Sequence, residues 1–255
     1  MAKSLPPLEA WQTRQLRLTV FPGPAFRAGE QNWWQELFGE RPANAIATKN
    51  GEFIEEGPFD KGNLTIYVHP ARIDLRYDIV DDVTSLMRGS IPTLGELPVA
   101  IEIFSQTVFR WLHLAQSTPL LRIAFGGIAF QTVADKMAVY EHLSAYLPFK
   151  LSFEAEDTSD FLYQINRRRK AQAPIPNLNI NRLTKWSEAY FKVFRQVSVG
   201  ANLQSVGNPV HFSQVEFDIN TDAEFTDLLP SEQLASIYSE LTELAQEIAT
   251  NGDIP

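Results

Sequence analysis

Three kinds of side chain in this sequence are able to support chemistry: histidines, paired carboxylates and clustered cations. The four histidines lack the close spacing of metal-binding motifs, and His69, His113 and His142 are predicted to be surface residues. The carboxylate pair Glu55-Glu56 is made of sequence neighbours, which point to opposite faces of a strand. These residues therefore do not predict a metal site or a general acid–base pair.

Catalytic motifs are equally scarce. The sequence has no P-loop, no G-x-S-x-G and no G-x-G-x-x-G motif, and it contains no cysteine. Gly126-Gly127 lies inside an apolar run, with no lysine at P-loop spacing, so we expect a bulge or a close backbone crossing there. The sequence therefore favours a protein without catalytic residues, metal or cofactor.

The cations carry the clearest chemical signal. Arg167, Arg168, Arg169 and Lys170 are consecutive in a chain whose formal net charge is −9. Residues 161–200 contain eight cations and one acid, whereas residues 201–255 contain ten acids and no Lys or Arg. The run itself is predicted to be the solvated tip of a β-hairpin and is also the best single candidate for a contact site.

Three interpretations of this charge separation remain open. In the first interpretation, the basic strands of residues 161–200 pack beside the acidic segment 201–255 of the same chain. In the second, they recognise a partner protein or a second copy of the chain. The third interpretation is anion or nucleic-acid binding, because charged and aromatic side chains are interleaved there as in single-strand binders. The candidate binding residues are Arg167, Arg168, Arg169, Lys170, Arg182, Lys185 and Trp186.

Two adjacent tryptophans suggest a second contact surface. Trp33 and Trp34 fall on a short predicted helix, where neighbouring positions face different directions. We therefore expect one of the two rings at a surface, and Trp33 and Trp34 are candidate interface residues.

The elements that must position these residues form an α+β pattern. Gln15 to Phe21 reads as a strand, residues 62–80 as a hairpin and Leu97 to Ser117 as an amphipathic helix. In the second part of the chain, strands are predicted near residues 160–167, 177–183, 190–199 and 211–219, before a last amphipathic helix. No apolar stretch is long enough to cross a bilayer.

The chain also contains two similar segments. Leu16-Arg17-Leu18 matches Leu121-Arg122-Ile123, and a helix follows in both places. We therefore predict two similar strand-helix-multistrand-helix halves, residues 1–118 and 119–255, packed as one unit around a pseudo-twofold axis. The alternative is that two strand-turn-helix units share a common pattern. A groove is expected at the seam between the halves.

The order of elements and several short motifs resemble a sporadically distributed family of uncharacterised bacterial proteins. The resemblance rests on Arg122-Ile123, Ile128, Phe217-Asp218-Ile219 and Leu241 to Ile248 and covers most of the chain. At Gly126 to Ala129 the chain departs from the family pattern. The resemblance implies no activity or catalytic residues, but it implies a mobile locus such as phage defence or a toxin–antitoxin system.

Composition and charge complete the expectation. The absence of cysteine and of an apolar leader at the N-terminus predicts a cytoplasmic protein, and the excess acid argues against general nucleic-acid binding. The leading hypothesis is a non-enzymatic interaction protein that serves as an adaptor, sensor or neutralising subunit with a protein partner or a second copy. The alternative is a nucleotide or single-stranded nucleic-acid binder that uses residues 161–200.

Overall fold

A computed structural model describes residues 5–28, 32–48, 51–80, 91–150, 160–195 and 204–253. The strands are β1 (Gln12–Pro22), β2 (Asn44–Ala47), β3 (Phe53–Phe59), β4 (Gly62–His69), β5 (Arg72–Ile79), β6 (Leu120–Val133), β7 (Leu162–Lys170), β8 (Asn179–Arg195) and β9 (Gln204–Thr221). The α-helices are α1 (Trp33–Phe38), α2 (Leu97–Leu114), α3 (Lys136–Tyr146) and α4 (Leu234–Asn251). This mixture confirms the predicted α+β class.

The nine strands in the described part of the chain belong to one sheet, in the order β2-β3-β4-β5-β1-β6-β9-β8-β7. Every pair of neighbours in it is antiparallel. Residues 1–118 contribute β1 to β5, and residues 119–255 contribute β6 to β9. The two parts of the chain meet where β1 pairs with β6, near the middle of the sheet.

Side chains alternate in direction along each strand, so each strand contributes residues to both faces of the sheet. One of these faces, which we call the helix face, is apolar. In β1, Leu16, Leu18 and Val20 are completely buried on this helix face. α2 packs on β1, α3 on β8 and β9, α4 on β6 and β9, and α1 on α2. Three ring contacts join the helices to this face: Tyr77 with Phe104, Trp186 with Tyr146, and Phe125 with Tyr238.

The opposite side, which we call the open face, is polar. Residues directly opposite each other on antiparallel strands share a face, so the registers define a row of side chains across eight strands. The row consists of Glu56, Thr65, Arg76, Arg17, Gly126, Asp218, Leu183 and Asn166. None of the described helices packs on this face.

The hairpin of β4 and β5 confirms its sequence prediction. Leu64, Ile66 and Val68 are buried on the helix face, as the alternating pattern requires. On the open face, Arg72 pairs with Asp74 at 2.8 Å. The hairpin therefore contributes apolar area to the core on one side and a ladder of opposite charges on the other.

One prediction for the second part of the chain is wrong, and another is wrong in one of its two alternatives. The strands expected near 177–183 and 190–199 are one strand, β8, which pairs along its length with β9. Gly126 and Gly127 form no bulge, since both pair in regular register with Arg17 and Leu16 of β1, but a Cβ atom at Gly127 would lie only 3.3 Å from the Gln15 carbonyl oxygen, as a close backbone approach requires. The irregularity of that ladder falls nearby, between Thr13 and Gln15.

Candidate functional site

The basic run lies inside β7, which forms one edge of the sheet and pairs only with β8. The expectation that it is a hairpin tip is therefore wrong, because the chain turns only after Lys170. Arg167 lies directly opposite Arg182, on the helix face. Alternation then places Arg169 on the helix face and Arg168 and Lys170 on the open face.

Arg167 is held by the end of the chain. Its Nε and Nη2 atoms lie 2.5 and 2.9 Å from the two carboxylate oxygens of Asp253, and the Tyr163 hydroxyl donates a 2.7 Å hydrogen bond to the same group. Burial alone would raise the pKa of Asp253. The hydrogen bonds from Arg167 and Tyr163, with the charges of Arg167 and Arg182, outweigh burial and hold the pKa below its usual value.

The next two arginines are also paired with the acidic C-terminal part of the chain. Arg168 contacts Asp222 and lies 2.7 Å from a carboxylate oxygen of Glu224. Arg169 lies 3.4 Å from Glu247 of α4. These contacts confirm the first interpretation of the charge separation, in which the basic sheet packs beside the acidic segment of its own chain. Partner recognition and nucleic-acid binding stay predictions.

The three candidate binding residues outside the basic run, Arg182, Lys185 and Trp186, do not share one surface. Arg182 is buried on the helix face, where burial lowers the pKa of its guanidinium and the carboxylates of Glu247 and Asp253 partly offset that effect. Trp186 is fully buried and stacks on Tyr146 with ring centroids 5.3 Å apart. Lys185 lies on the open face, 2.7 Å from Glu216. The interleaved cations and rings therefore do not form one stacking platform.

The expectation that Trp33 or Trp34 is exposed is wrong, since both are buried. Trp33 packs edge-on against Trp111 of α2, with centroids 5.1 Å apart. Trp34 packs against β3, where a Cβ atom at Gly57 would lie only 2.7 Å from its ring. The missing side chain of Gly57 thus makes room for the second ring, a long-range effect that the local helix pattern does not contain.

A serine–histidine pair was missed by the sequence reasoning, which placed His142 at the surface. The imidazole is mostly buried beside Trp11, and its Nδ1 atom lies 2.6 Å from the Ser213 hydroxyl. Burial lowers the pKa of His142 to about 4. Ser213 is completely buried, so its hydroxyl is closed to solvent in this structure.

One concave site is a groove of about 210 Å³ in the open face. It lies over the strands that join the two parts of the chain, and its walls include Gln15, Arg17, Gly126, Lys185 and Asp218. A second hollow, of about 430 Å³, shares Gln15 and Arg17 with it and extends towards β3. We call the two hollows together the trough.

Chemically, the trough is mixed in charge. Its cations are Arg17, Arg72, Arg76 and Lys185, and its acids are Glu56, Asp74, Glu216 and Asp218. Among the described residues, no three His, Asp or Glu side chains are placed to hold a metal ion. This arrangement suits recognition of a polar or charged surface.

The chain matches no protein-family model, and no curated protein is similar to it. None of the helices in the described part of the chain has the length and apolarity that crossing a membrane requires.

Proposed function

We propose that this chain is a non-enzymatic interaction protein, an adaptor, sensor or neutralising subunit that binds another protein through the open face. The observation that carries the proposal is the row of side chains across eight strands on which no described helix packs. At about 4.8 Å per strand, this row is roughly 34 Å wide. A standard protein–protein interface needs about 800 Å² from each partner, which is a patch of about the same width.

The contacts of the basic run favour this proposal over the nucleic-acid alternative. Three of its four cations, Arg167, Arg168 and Arg169, contact carboxylates of their own chain. A phosphate backbone would have to displace these carboxylates, and the acidic segment beside them repels phosphate. Nucleotide or single-strand binding through residues 161–200 is therefore the weaker alternative.

We also propose that the two halves, residues 1–118 and 119–255, arose by internal duplication and are related by a pseudo-twofold axis. Each half begins with a strand at the centre of the sheet, β1 or β6, followed by a helix. Its last strand, β5 or β9, returns to pair with that first strand before a long helix, α2 or α4. The groove over β1 and β6 lies where this axis would pass.

The resemblance to sporadically distributed bacterial proteins supports a cytoplasmic role in a mobile locus. Phage defence and toxin–antitoxin systems are the settings in which a small interaction subunit of this kind would serve. In either setting the protein partner would be encoded nearby and would bind in stoichiometric amount.

The test is purification of the tagged chain from its native host at low salt, with the companions identified by mass spectrometry. We expect a stoichiometric protein that is lost from Leu183→Arg, which places a charged side chain on the open face in β8, next to the edge strand β7. Val99→Arg is the matched control, because Val99 is an exposed apolar residue of α2 in the helix layer. It should retain the companion.

Two outcomes would contradict the proposal. Nucleic acid or nucleotide that co-purifies and is released as salt rises would favour the alternative function. A companion that is retained equally by Leu183→Arg and Val99→Arg would show that the interface does not lie on the open face.

A further inference from the structure

Arg17 differs from the other cations of the trough in having no partner among the residues that the structure describes. Arg72 and Arg76 pair with Asp74 and Asp78, and Lys185 pairs with Glu216, at 2.5 to 2.8 Å. Arg17, in the middle strand of the sheet, makes no ion pair or hydrogen bond through its side chain to any residue in the described ranges. Within these ranges, one positive charge at the centre of the open face is therefore not neutralised.

The guanidinium of Arg17 is also partly desolvated. Its Nε atom is closed to solvent and donates no hydrogen bond within the described part of the chain. A buried donor without an acceptor costs free energy, and this cost is removed if the guanidinium moves slightly towards an acceptor. Because Arg17 lines the groove, an acceptor entering the groove from solvent would come next to its side chain.

Gly126 keeps the space beside Arg17 open. A Cβ atom at this position would lie 3.2 Å from Nη2 and 3.4 Å from Nε of Arg17. Any side chain at residue 126 would therefore crowd the guanidinium and fill the floor of the groove. Both features, the unpaired cation and the space next to it, occur at the same place in the central pair of strands.

We propose that Arg17 binds a carboxylate, supplied by an Asp or Glu side chain of a partner protein whose extended segment lies in the trough. This inference rests on the proposed function and names the recognition chemistry of the same surface. A guanidinium presents a planar pair of N–H donors that matches the two oxygens of a carboxylate. One carboxylate neutralises one unpaired cation.

A phosphate fits the site less well than a carboxylate. Asp218 and Glu216 line the same groove, and they would repel a dianion more strongly than a single negative charge. The charge of the site therefore favours an acidic side chain over a nucleotide.

The trough has the shape that an extended segment requires. Its two hollows lie on either side of Arg17 and continue from Ile54 and Glu56 of β3 to Gln164 of β7. A segment crossing these strands would span about 34 Å, which corresponds to roughly ten extended residues. The central acidic residue of such a segment would lie over Arg17.

Selection of random decapeptides, displayed on phage, against the folded full-length chain tests this inference without knowledge of the partner. We expect enriched sequences to share one Asp or Glu at a fixed position. A synthetic peptide of the enriched sequence should bind Arg17→Gln at least about tenfold more weakly than the unaltered chain. Replacing its acidic residue by the amide should cause a similar loss, with little further loss in Arg17→Gln.

The control is Arg122→Gln. Arg122 lies on the neighbouring strand and the same face, but it donates hydrogen bonds to Asn220 and Thr221. Its replacement should leave peptide binding unchanged. Gly126→Val is a second variant that keeps the Arg17 charge and fills the groove, so it should also weaken binding if the carboxylate enters there. Circular dichroism verifies that each variant is folded.

Several outcomes would overturn the inference. These are enrichment of no sequence, enrichment without a shared acid, or equal binding to Arg17→Gln. If inorganic phosphate displaced the peptide more strongly than acetate does, the group that Arg17 binds would be a phosphate and not a carboxylate. Concentration-dependent self-association that Arg17→Gln abolishes would identify the occupant as a second copy. A companion protein that Arg17→Gln retains but Leu183→Arg loses would preserve the proposed function and reject only the role of Arg17.

Discussion

His142 shows how the interior of this protein treats a single ionisable side chain. It lies in the aromatic cluster of Trp11 and Tyr146 on the helix face, with Ser213 as its hydrogen-bond partner. No carboxylate contributes to the shift of its pKa, which burial alone lowers to about 4. The neutral imidazole is therefore the form that the folded chain prefers.

This preference predicts acid sensitivity. The unfolded chain takes up a proton at His142 near pH 6.5 and the folded chain only near pH 4, so the contribution to stability is complete above pH 6.5 and decreases between those values. The loss is at most about 3 kcal/mol. Urea unfolding from pH 7 to pH 4 should show a shallower decline for His142→Asn than for the unaltered chain.

His113→Gln is the matched control for this measurement, because His113 is exposed on α2. It should leave the pH dependence unchanged. A decline of the same steepness in His142→Asn would mean that other groups cause the acid sensitivity.

At the scale of elements, β7 illustrates how an edge strand is attached to the molecule. Edge strands expose unpaired backbone groups and commonly carry cations that oppose further pairing. Here the same cations also join the strand to α4 and to the residues after it. Arg167 and Asp253 form the most buried of these connections, with the Asp253 side chain 3% exposed.

We predict that Asp253→Asn lowers the free energy of unfolding by about 2 kcal/mol, because it leaves Arg167 half-buried and without a charged partner. A double-mutant cycle with Arg167→Gln, measured by urea unfolding, isolates the coupling between the two groups. The pKa of Asp253 is depressed, so this contribution is present above its ordinary pKa and is lost as pH falls below it.

Arg169→Gln provides the comparison. Arg169 and Glu247 are each 36% exposed, and such pairs contribute about 0.5 kcal/mol. Equal losses for Asp253→Asn and Arg169→Gln would show that burial does not strengthen the Arg167 connection.

At the scale of the whole molecule, the ladder between β1 and β6 joins the two parts of the chain into one sheet. Leu16 lies opposite Gly127 in this ladder. The Leu16 side chain, and any side chain placed at residue 127, would lie on the helix face. A Cβ atom at Gly127 would lie 3.1 Å from Leu16 Cδ2 and 3.3 Å from the Gln15 carbonyl oxygen. The close packing of the central pair thus depends on a residue without a side chain.

Gly127→Ala should therefore lower the free energy of unfolding by about 1–2 kcal/mol. Because β1 and β6 belong to one continuous sheet, we expect tryptophan fluorescence and far-ultraviolet circular dichroism to report the same single transition in urea. Gly23→Ala is the control, since a Cβ atom there would meet only ordinary contacts at 3.4 Å or more. Two separate transitions would show that the parts unfold independently.

Much of the local structure was predictable from sequence. The α+β class, the β4–β5 hairpin, the aromatic helix α1 and the amphipathic helices α2 and α4 follow from periods of about two or 3.6 residues. The separation of charge between residues 161–200 and 201–255 was also visible, and its internal pairing was one of three interpretations. These features depend on near neighbours in the chain or on composition.

The positions of the individual candidate residues required the tertiary structure. Strand pairing turned two predicted strands into β8 and moved the basic run from a turn to an edge, and Gly57 made room for a second buried tryptophan. The groove at Arg17 exists because Gly126, more than 100 residues away in sequence, lies opposite it in the sheet. The sequence by itself determined the α+β class, the β4–β5 hairpin and the amphipathic helices, since those patterns are local. Only the order and register of the strands decided which charges are paired and that Arg17 has no partner in the described ranges, because those contacts join residues far apart in the chain.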